Sequence, residues 1–371
     1  MTEKINNNEI KIIHTGDLHL GMTFKSLGKK SKLHRRDCQD VFSNIIHLCI
    51  KEKVNGLLIA GDLFDEPNPS KSIITFVIDE LKKLKEKNIP VFLISGNHDP
   101  YKKNSFWFNH KFPSNVIIFE NNSLEPKTVG NLTVYGLAYI DNTKEPLKDF
   151  KAKSSNDFKI GLIHGSTINI KVKEEPESSY RPIKKAQIDS SNLDYIALGH
   201  FHDLLEVKAK TKCFYCGSPE GLSFKNNLDS GILLVKYSKK KVIVKPIKTS
   251  IRGFHTINVD CTKFDNDSEI RKILEKNKGD NKILRLVLKG SPSLDFQLDV
   301  DLFMKEFESE YFFLKIVDKV HIPDNLTEDE TIRGQFIKLI KSEIEKEKNP
   351  KKKKIFENAL RIGIGHLDKK L

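Results

Sequence analysis

The chain has 371 residues, 38% of them hydrophobic and 30% charged, with a formal net charge of +13. That length exceeds one ordinary core and predicts two or three domains, while the apolar fraction excludes a disordered chain. The charge excess favours an anionic partner such as nucleic acid, although a lysine-rich solvated surface gives the same balance. The opening residues, MTEKINNNEI, lack the apolar stretch of a signal peptide, and no run approaches the roughly 18 apolar residues of a membrane span. Five cysteines, an odd number, suit a reduced cytoplasmic protein rather than a disulfide scaffold. Cys213 and Cys216 form a lone CxxC without a second pair, and read as bystander thiols in a turn.

In chain order, Ile10–His14, Gly56–Ala60 and Val91–Ser95 are strand-length apolar runs, each ending in a loop. Val41, Phe42, Ile45, Ile46 and Cys49 repeat at helical spacing between the first two. Ser70 is placed as an N-cap before the helical pattern Ile73, Ile74, Val77, Ile78, Leu81 and Leu84, which Asn88 and Pro90 end. This βαβαβ opening predicts a largely parallel sheet under covering helices. The later runs Leu132–Ala138, Lys159–His164, Tyr195–Leu198 and Ile232–Val235 look more hairpin-like. The expected core is therefore a layered α/β sandwich with some antiparallel strands over residues 1–250.

The pattern changes near Ser250–Gly253. Strands at Thr256–Val259, Ile283–Leu288 and Phe312–Val317, with helices at Ser268–Asn277 and Val300–Glu308, predict a small α+β domain over 251–324. Residues 325–371 read as two amphipathic helices broken at Asn349 and Pro350. Thr327 with Glu330 is the expected capping box, and Ile332, Phe336, Ile337, Leu339, Ile340 and Ile344 form one apolar face. Residues 334–371 hold eleven Lys and Arg against five Asp and Glu, so this tail is itself basic.

Five short motifs carry the chemistry. Asp17 and His19 stand in HTGDLHLG after the first strand, where extended residues at i and i+2 would point to one side. Asp62 stands in AGDLFD after the second strand, and Asn97 and His98 in SGNHD after the third. His164 in LIHG and the pair His200 and His202 in LGHFH follow two later runs. All lie just beyond the C-terminal ends of expected strands, where open α/β sheets bind ligands.

Asp17, Asp62, His19, His164, His200, His202 and the Asn97 amide oxygen make seven nitrogen and oxygen donors and no thiolate. Seven exceed a closed four-ligand zinc site and suit two divalent ions sharing Asp62. Sulfur-free mixed ligation favours Mn²⁺, with Fe, Zn or Mg²⁺ as alternatives. Such a pair activates water and steadies both oxygens of an in-line phosphoryl displacement, leaving His98 for acid–base work or for holding the phosphate. The remaining histidines, His14, His34, His47, His110, His255, His321 and His366, are read as surface or satisfied core residues.

In order, HTGDLHLG, GDLFD, GNHD, HG and GHFH resemble the five motifs of the calcineurin-like metallophosphoesterases. HLG after the first motif, GDLFD in place of GDxxDRG, GNHD in place of GNHE and the segment Cys216–Glu220 (CGSPE) resemble the SbcD or Mre-eleven type of DNA double-strand-break repair nuclease. The resemblance covers residues 10–240; beyond 250 it rests on layout alone. It implies Asp17, His19, Asp62 and His202 on one metal, and Asp62, Asn97, His164 and His200 on the other. It implies His98 as the catalytic histidine and Asp99 as its orienting neighbour. Asp65 stands where many relatives carry a second functional histidine, so that role does not carry over and Asp65 is expected to act only behind the ligands.

The implied activities are 3′–5′ exonuclease action on duplex ends and endonuclease action on single strands. The implied partners are DNA, an SbcC-type SMC-like ATPase held by the C-terminal helices, and a second copy of the chain. An alternative is a calcineurin-like phosphoesterase acting on nucleotides or phosphoproteins. The absence of Arg after GDLFD counts against the protein phosphatase branch, and the +13 charge fits DNA better than a small nucleotide.

Overall fold

A computed structural model of the protein describes residues 9–142, 145–167, 180–225, 230–292, 296, 298–321 and 330–367. They form two compact units, Met1–Gly253 and Phe254–Leu371. Among the described residues, no helix is long and apolar enough to cross a membrane.

The first unit is a mixed α/β structure of two six-stranded sheets. One sheet is built on β1 (Ile10–Thr15), β2 (Gly56–Ala60), β3 (Val91–Ile94) and β4 (Val116–Ile118), all parallel. Helix α1 (Ser31–Glu52) connects β1 to β2, and α2 (Lys71–Glu86) connects β2 to β3. Ser70 precedes α2 in extended conformation, but its hydroxyl meets Ser72 Oγ at 3.0 Å and caps no backbone N–H. A short helix, α3 (Phe106–Asn109), precedes β4.

The other sheet contains β5 (Glu125–Val129), β6 (Leu132–Gly136), β7 (Phe158–His164), β8 (Tyr195–Gly199), β9 (Leu205–Val207) and β10 (Lys212–Tyr215), with α4 (Lys185–Ser190) leading into β8. Its order is β5-β6-β7-β8-β10-β9. Here the expectation of hairpins needs correcting, because β6, β7, β8 and β10 run parallel. The stretches joining β6 to β7 and β7 to β8 are too long for hairpin turns and act as crossovers. Antiparallel pairing is confined to the margins. Strand β5 pairs with β6 and β9 with β10, while β11 (Gly231–Ser238) and β12 (Lys241–Lys248) extend the first sheet beside β1.

Alternation along the strands explains the layering. Phe158, Ile160 and Leu162 of β7 and Tyr195 and Ala197 of β8 face a core shared with Ile12, Leu58 and Phe92 of the first sheet. Ile163, Ile196 and Leu198, one residue out of phase, pack instead with Leu147, Ile183 and Ile188 on the other side. Two buried faces make these strands read as continuous apolar runs.

In the second unit, β13 (Gly253–Asp260), β14 (Gly279–Gly290) and β15 (Tyr311–Val320) form a three-stranded sheet, β14 and β15 being parallel. Helices α5 (Ser268–Lys276) and α6 (Val300–Phe307) bury Ile270, Leu274, Phe303 and Phe307 against Leu286, Leu288 and Leu314. Asp299 caps α6 by accepting from Leu302 N at 2.9 Å. Two further helices follow, α7 (Ile332–Lys346) and α8 (Pro350–Leu367). Thr327 lies outside the described residues; α7 begins after Thr331, whose hydroxyl accepts from Gly334 N. Pro350 opens α8, a position where its missing N–H costs nothing. The expected single apolar face divides. Phe336, Ile337, Ile340 and Ile344 pack with Leu360 and Ile364, while Ile332 and Leu339 stand 78% and 63% exposed.

Candidate metal centre

The C-terminal ends of β1, β2, β3, β7 and β8 deliver the five motifs to one edge of the two sheets. Register does part of this, since His14 pairs with Leu58, Leu58 with Phe92, and His164 with Gly199. Missing side chains do the rest. A Cβ on Gly199 would strike the Ala60 carbonyl, and one on Gly96 would strike the Asp62 carboxylate. Only glycine lets these loops approach so closely.

The convergence of Asp17 with His19 does not come from extended backbone. Asp17, His19 and Asp62 adopt left-handed conformations with φ of 48°, 45° and 47°, and His200 has φ of 110°. Such angles are uncommon outside glycine, although Asp and His tolerate them best. They are enforced by hydrogen bonds between loops: Asp17 N to Gly61 O, His19 N to Asp62 O and Leu20 N to Leu63 O, each 3.0 Å.

All seven expected donors meet. His19 Nε2 lies 3.2 Å from His202 Nε2 and 3.6 Å from Asp62 Oδ2. His164 Nε2 lies 2.8 Å from Asn97 Oδ1 and 3.5 Å from Asp62 Oδ2, and His200 Nδ1 lies 3.0 Å from the same Asn97 oxygen. The Asp17 carboxylate accepts His200 N at 3.0 Å and groups with His19 and His202 on one side, and with Asp62 and His164 on the other. Asp17, His19, Asp62, His164 and His200 are buried.

The hydrogen bonds behind these imidazoles bear on which nitrogens face the site. His164 Nδ1 donates to Ala60 O at 2.8 Å, so its Nε2 presents a lone pair to the oxygens of Asn97 and Asp62. His19 Nδ1 donates to Asp65 Oδ1 at 3.1 Å, so its Nε2 presents a lone pair to His202. At His164 a lone pair thus faces the oxygens of Asn97 and Asp62, an arrangement that suits a cation, and a ligating imidazole is usually held by a carbonyl or carboxylate through its other nitrogen at metals.

The electrostatics agree. Burial, then Asp62, push the Asp17 carboxyl well above its ordinary range. Burial also opposes ionisation of Asp62, but His164, His19 and His98 together leave it below its ordinary range. Burial pulls His164 down to about 4, and burial with His19 pulls His202 down to about 3. Neutral imidazoles beside paired buried carboxylates fit divalent ions of intermediate hardness.

His98 stands apart, with its side chain 45% exposed. Its ring packs edge-on to His19, its Nδ1 meets Asp65 O at 3.2 Å, and its backbone N donates to Asp62 Oδ1 at 2.8 Å. His19, Asp65 and His98 form a third group with metal-ligating spacing. The Asp99 carboxylate accepts Gly96 N at 2.7 Å and Phe64 N at 3.1 Å, so it ties the loop carrying His98 to the loop carrying Asp62. His14 and His34 are core residues with partners: His14 meets Tyr195 Oη and Leu198 O, and His34 meets Gly221 O. Cys213 and Cys216 are buried free thiols.

Three residues around the centre had no sequence signal. Tyr139 sets its ring edge-on to His164, Tyr180 tilts over His200, and the buried Arg181 stacks its guanidinium on Tyr139. None belongs to a periodic pattern or a short motif.

A family profile described as calcineurin-like phosphoesterase matches residues 10–204. The chain is 28% identical over 318 residues to the DNA double-strand break repair protein Mre11 of Sulfurisphaera tokodaii, covering 81% of this chain and 78% of that one. It is 27% identical over 316 residues to the protein of the same description from Saccharolobus solfataricus, covering 80% and 78%. Over 367 residues it is 27% identical to the uncharacterized metallophosphoesterase YhaO of Bacillus subtilis, covering 91% and 88%. A profile match over half the chain, ending on a strand-end loop that joins this donor set, establishes that the chain belongs to the calcineurin-like phosphoesterases.

Proposed function

We propose that the chain is a metal-dependent DNA nuclease of the SbcD or Mre11 type, acting in double-strand-break repair in the cytoplasm. The observation that carries the reading is the meeting of seven nitrogen and oxygen donors at one sheet edge. Relatives described as DNA double-strand break repair proteins and the net charge of +13 support DNA as the substrate. In this reading Asp17, His19, Asp62 and His202 hold one divalent ion, and Asp62, Asn97, His164 and His200 hold the other, Mn²⁺ being the best fit. Bound there, the two ions would supply an activated water and neutralise charge on the attacked phosphodiester.

The chain's own residues do the rest. His98, exposed and outside the seven, protonates the leaving oxygen or holds the phosphate. Asp65 orients His19 and meets His98 through its carbonyl. Asp99 keeps the two loops in register. Residues 1–250 are the nuclease domain, 251–324 a capping domain that contacts DNA, and 325–371 a helical segment that docks on an SbcC-type ATPase. The nuclease works as a homodimer, with 3′–5′ exonuclease action on duplex ends and endonuclease action on single strands.

Labelled hairpin and linear DNA, incubated with Mn²⁺, Mg²⁺ or a chelator, test the reading. Cleavage that needs the metal and leaves nucleotide products supports it. Hydrolysis of nucleotides or phosphoproteins in place of DNA would overturn it.

A further inference from the structure

Arg181 is fully buried, and burial opposes its charge, which among the described residues only the nearby Asp141 carboxylate and the Tyr139 ring help to offset. Its Nε donates to Asp141 O at 2.8 Å and its Nη2 to Asn122 Oδ1, both neutral acceptors, while Nη1 has no partner. Desolvation of this kind is costly and persists only where the surroundings require it. The backbone at Arg181 is strained as well, with φ of 44°, as it is at Asp17, His19 and Asp62. Strain of this kind collects at functional sites.

The contacts of Arg181 lead to one half of the centre. Its guanidinium lies 4.4 Å from the centroid of the Tyr139 ring. That ring meets His164 edge-on at 5.8 Å and 87°. Tyr139 is fixed from behind, its N–H donating to Ser95 Oγ at 2.8 Å. The residue before Arg181, Tyr180, places its ring 5.0 Å from His200 and its carbonyl on Ser166 N at 2.8 Å. Arg181 N donates to Asn142 O at 3.0 Å, and a Cβ on Gly165 would meet the Arg181 carbonyl. One side chain and its immediate backbone thus stand behind both His164 and His200. None of these contacts reaches Asp17, His19 or His202.

We infer that Arg181 is a positioning residue for the His164–His200 half of the metal centre, its guanidinium holding Tyr139 against His164 and its strained backbone setting the adjoining Tyr180 beside His200. The inference rests on the proposed two-ion site and adds that the two ion positions depend unequally on this residue. Groups that orient metal-ligating imidazoles without touching the ion change affinity by about 10–100-fold.

The test is Mn²⁺ titration of the full chain, followed by electron paramagnetic resonance and by binding affinity. The wild-type protein should bind two ions and give the signal of an exchange-coupled pair. Arg181→Met should weaken the second ion by at least about tenfold and leave the six-line signal of one isolated ion. Arg181→Lys, which keeps the charge but loses the planar stack, should fall between them. Tyr139→Leu leaves both Arg181 hydrogen bonds in place, so it should reproduce the loss even if Arg181→Met does not fold. A full coupled signal with unchanged second-ion affinity in the folded variants overturns the inference alone. A wild-type chain that never forms a coupled pair overturns the two-ion site and the inference together.

Discussion

The two units of the chain bury similar apolar strands but treat polarity differently. In Met1–Gly253 the interior holds Asp17, His19, Asp62, Asp99, His164, Arg181 and His200. In Phe254–Leu371 no charged side chain is buried among the described residues, the Tyr311 hydroxyl being a buried polar group that donates to Leu274 O. Backbone strain divides the same way, since among the described residues every non-glycine residue with positive φ precedes residue 241. Buried charge and strained loops oppose folding, so a unit that carries both must be held by its surroundings. The first unit spends stability on a preorganised interior, whereas whatever the second unit contributes is made at its surface.

The contrast predicts that lesions in the two units read out differently. The largest effect is expected from Asp62→Ala, which removes the carboxylate shared by both halves of the site. Cleavage should fall by about a thousandfold or more, with loss of bound metal by elemental analysis. His98→Ala should keep its metal and lose about 10²–10⁴-fold in turnover. A His98→Ala protein stripped of both ions would move His98 into the ligand set and redraw the site.

Next is Leu286→Ala in β14. It should destabilise the second unit by about 2–5 kcal/mol in denaturant titrations, through lost burial and a cavity. Metal content should not change. If the metal were lost too, the units would not be separable in the sense drawn above.

Acid should act on the first unit. Burial holds His14 down to about 3 and His164 down to about 4 in the folded chain, against 6.5 when unfolded. Between those values the unfolded state binds more protons, so stability of the metal-free chain should decline as pH drops from about 6.5 towards 4. Above 6.5 it should be flat with respect to these groups. The loss is of the order of a few kcal/mol per imidazole. Denaturant midpoints of wild type and His14→Gln across this window check it: the variant's slope should be shallower.

Added Mn²⁺ should raise the unfolding temperature of the first unit. The gain is about 2.7 kcal/mol when free ion is a hundredfold above its dissociation constant. Calorimetry with and without chelator would show it, and Asp62→Ala should abolish the shift. The smallest effect is expected in the tail. Neutralising Lys351–Lys354 should lower the salt dependence of DNA binding if those lysines meet phosphates, and leave it unchanged if they are only solvated.

Much of this was legible in the sequence. The motifs stood out because each strand is an apolar run followed at once by Gly and a metal-ligating residue, as at Ala60-Gly61-Asp62 and Leu198-Gly199-His200. The parallel course of β6, β7 and β8 was not legible, because strands buried on both faces lose their alternation and a crossover without a long helix resembles a loop. The left-handed Asp17 and His19 were missed because their conformation is imposed by Gly61, Asp62 and Leu63 from another segment. Arg181 was missed for a similar reason, since its meaning comes only from Tyr139, 42 positions earlier in the chain. At the tail, α7 is capped by Thr331, which the sequence did not single out, and the expected capping box at Thr327 lies outside the described residues.

The outer edge of the first sheet bears on how the protein survives at high concentration. Strand β12, KVIVKPIK, ends the sheet with Ile243 62% exposed, which alone would invite another molecule to add a strand. Lys241, Lys245 and Lys248 repel a like-charged edge, and Pro246 has no N–H to offer the incoming ladder. Replacing Pro246 and Lys245 should therefore make this margin a better template for an added strand, to be read as faster aggregation at high concentration.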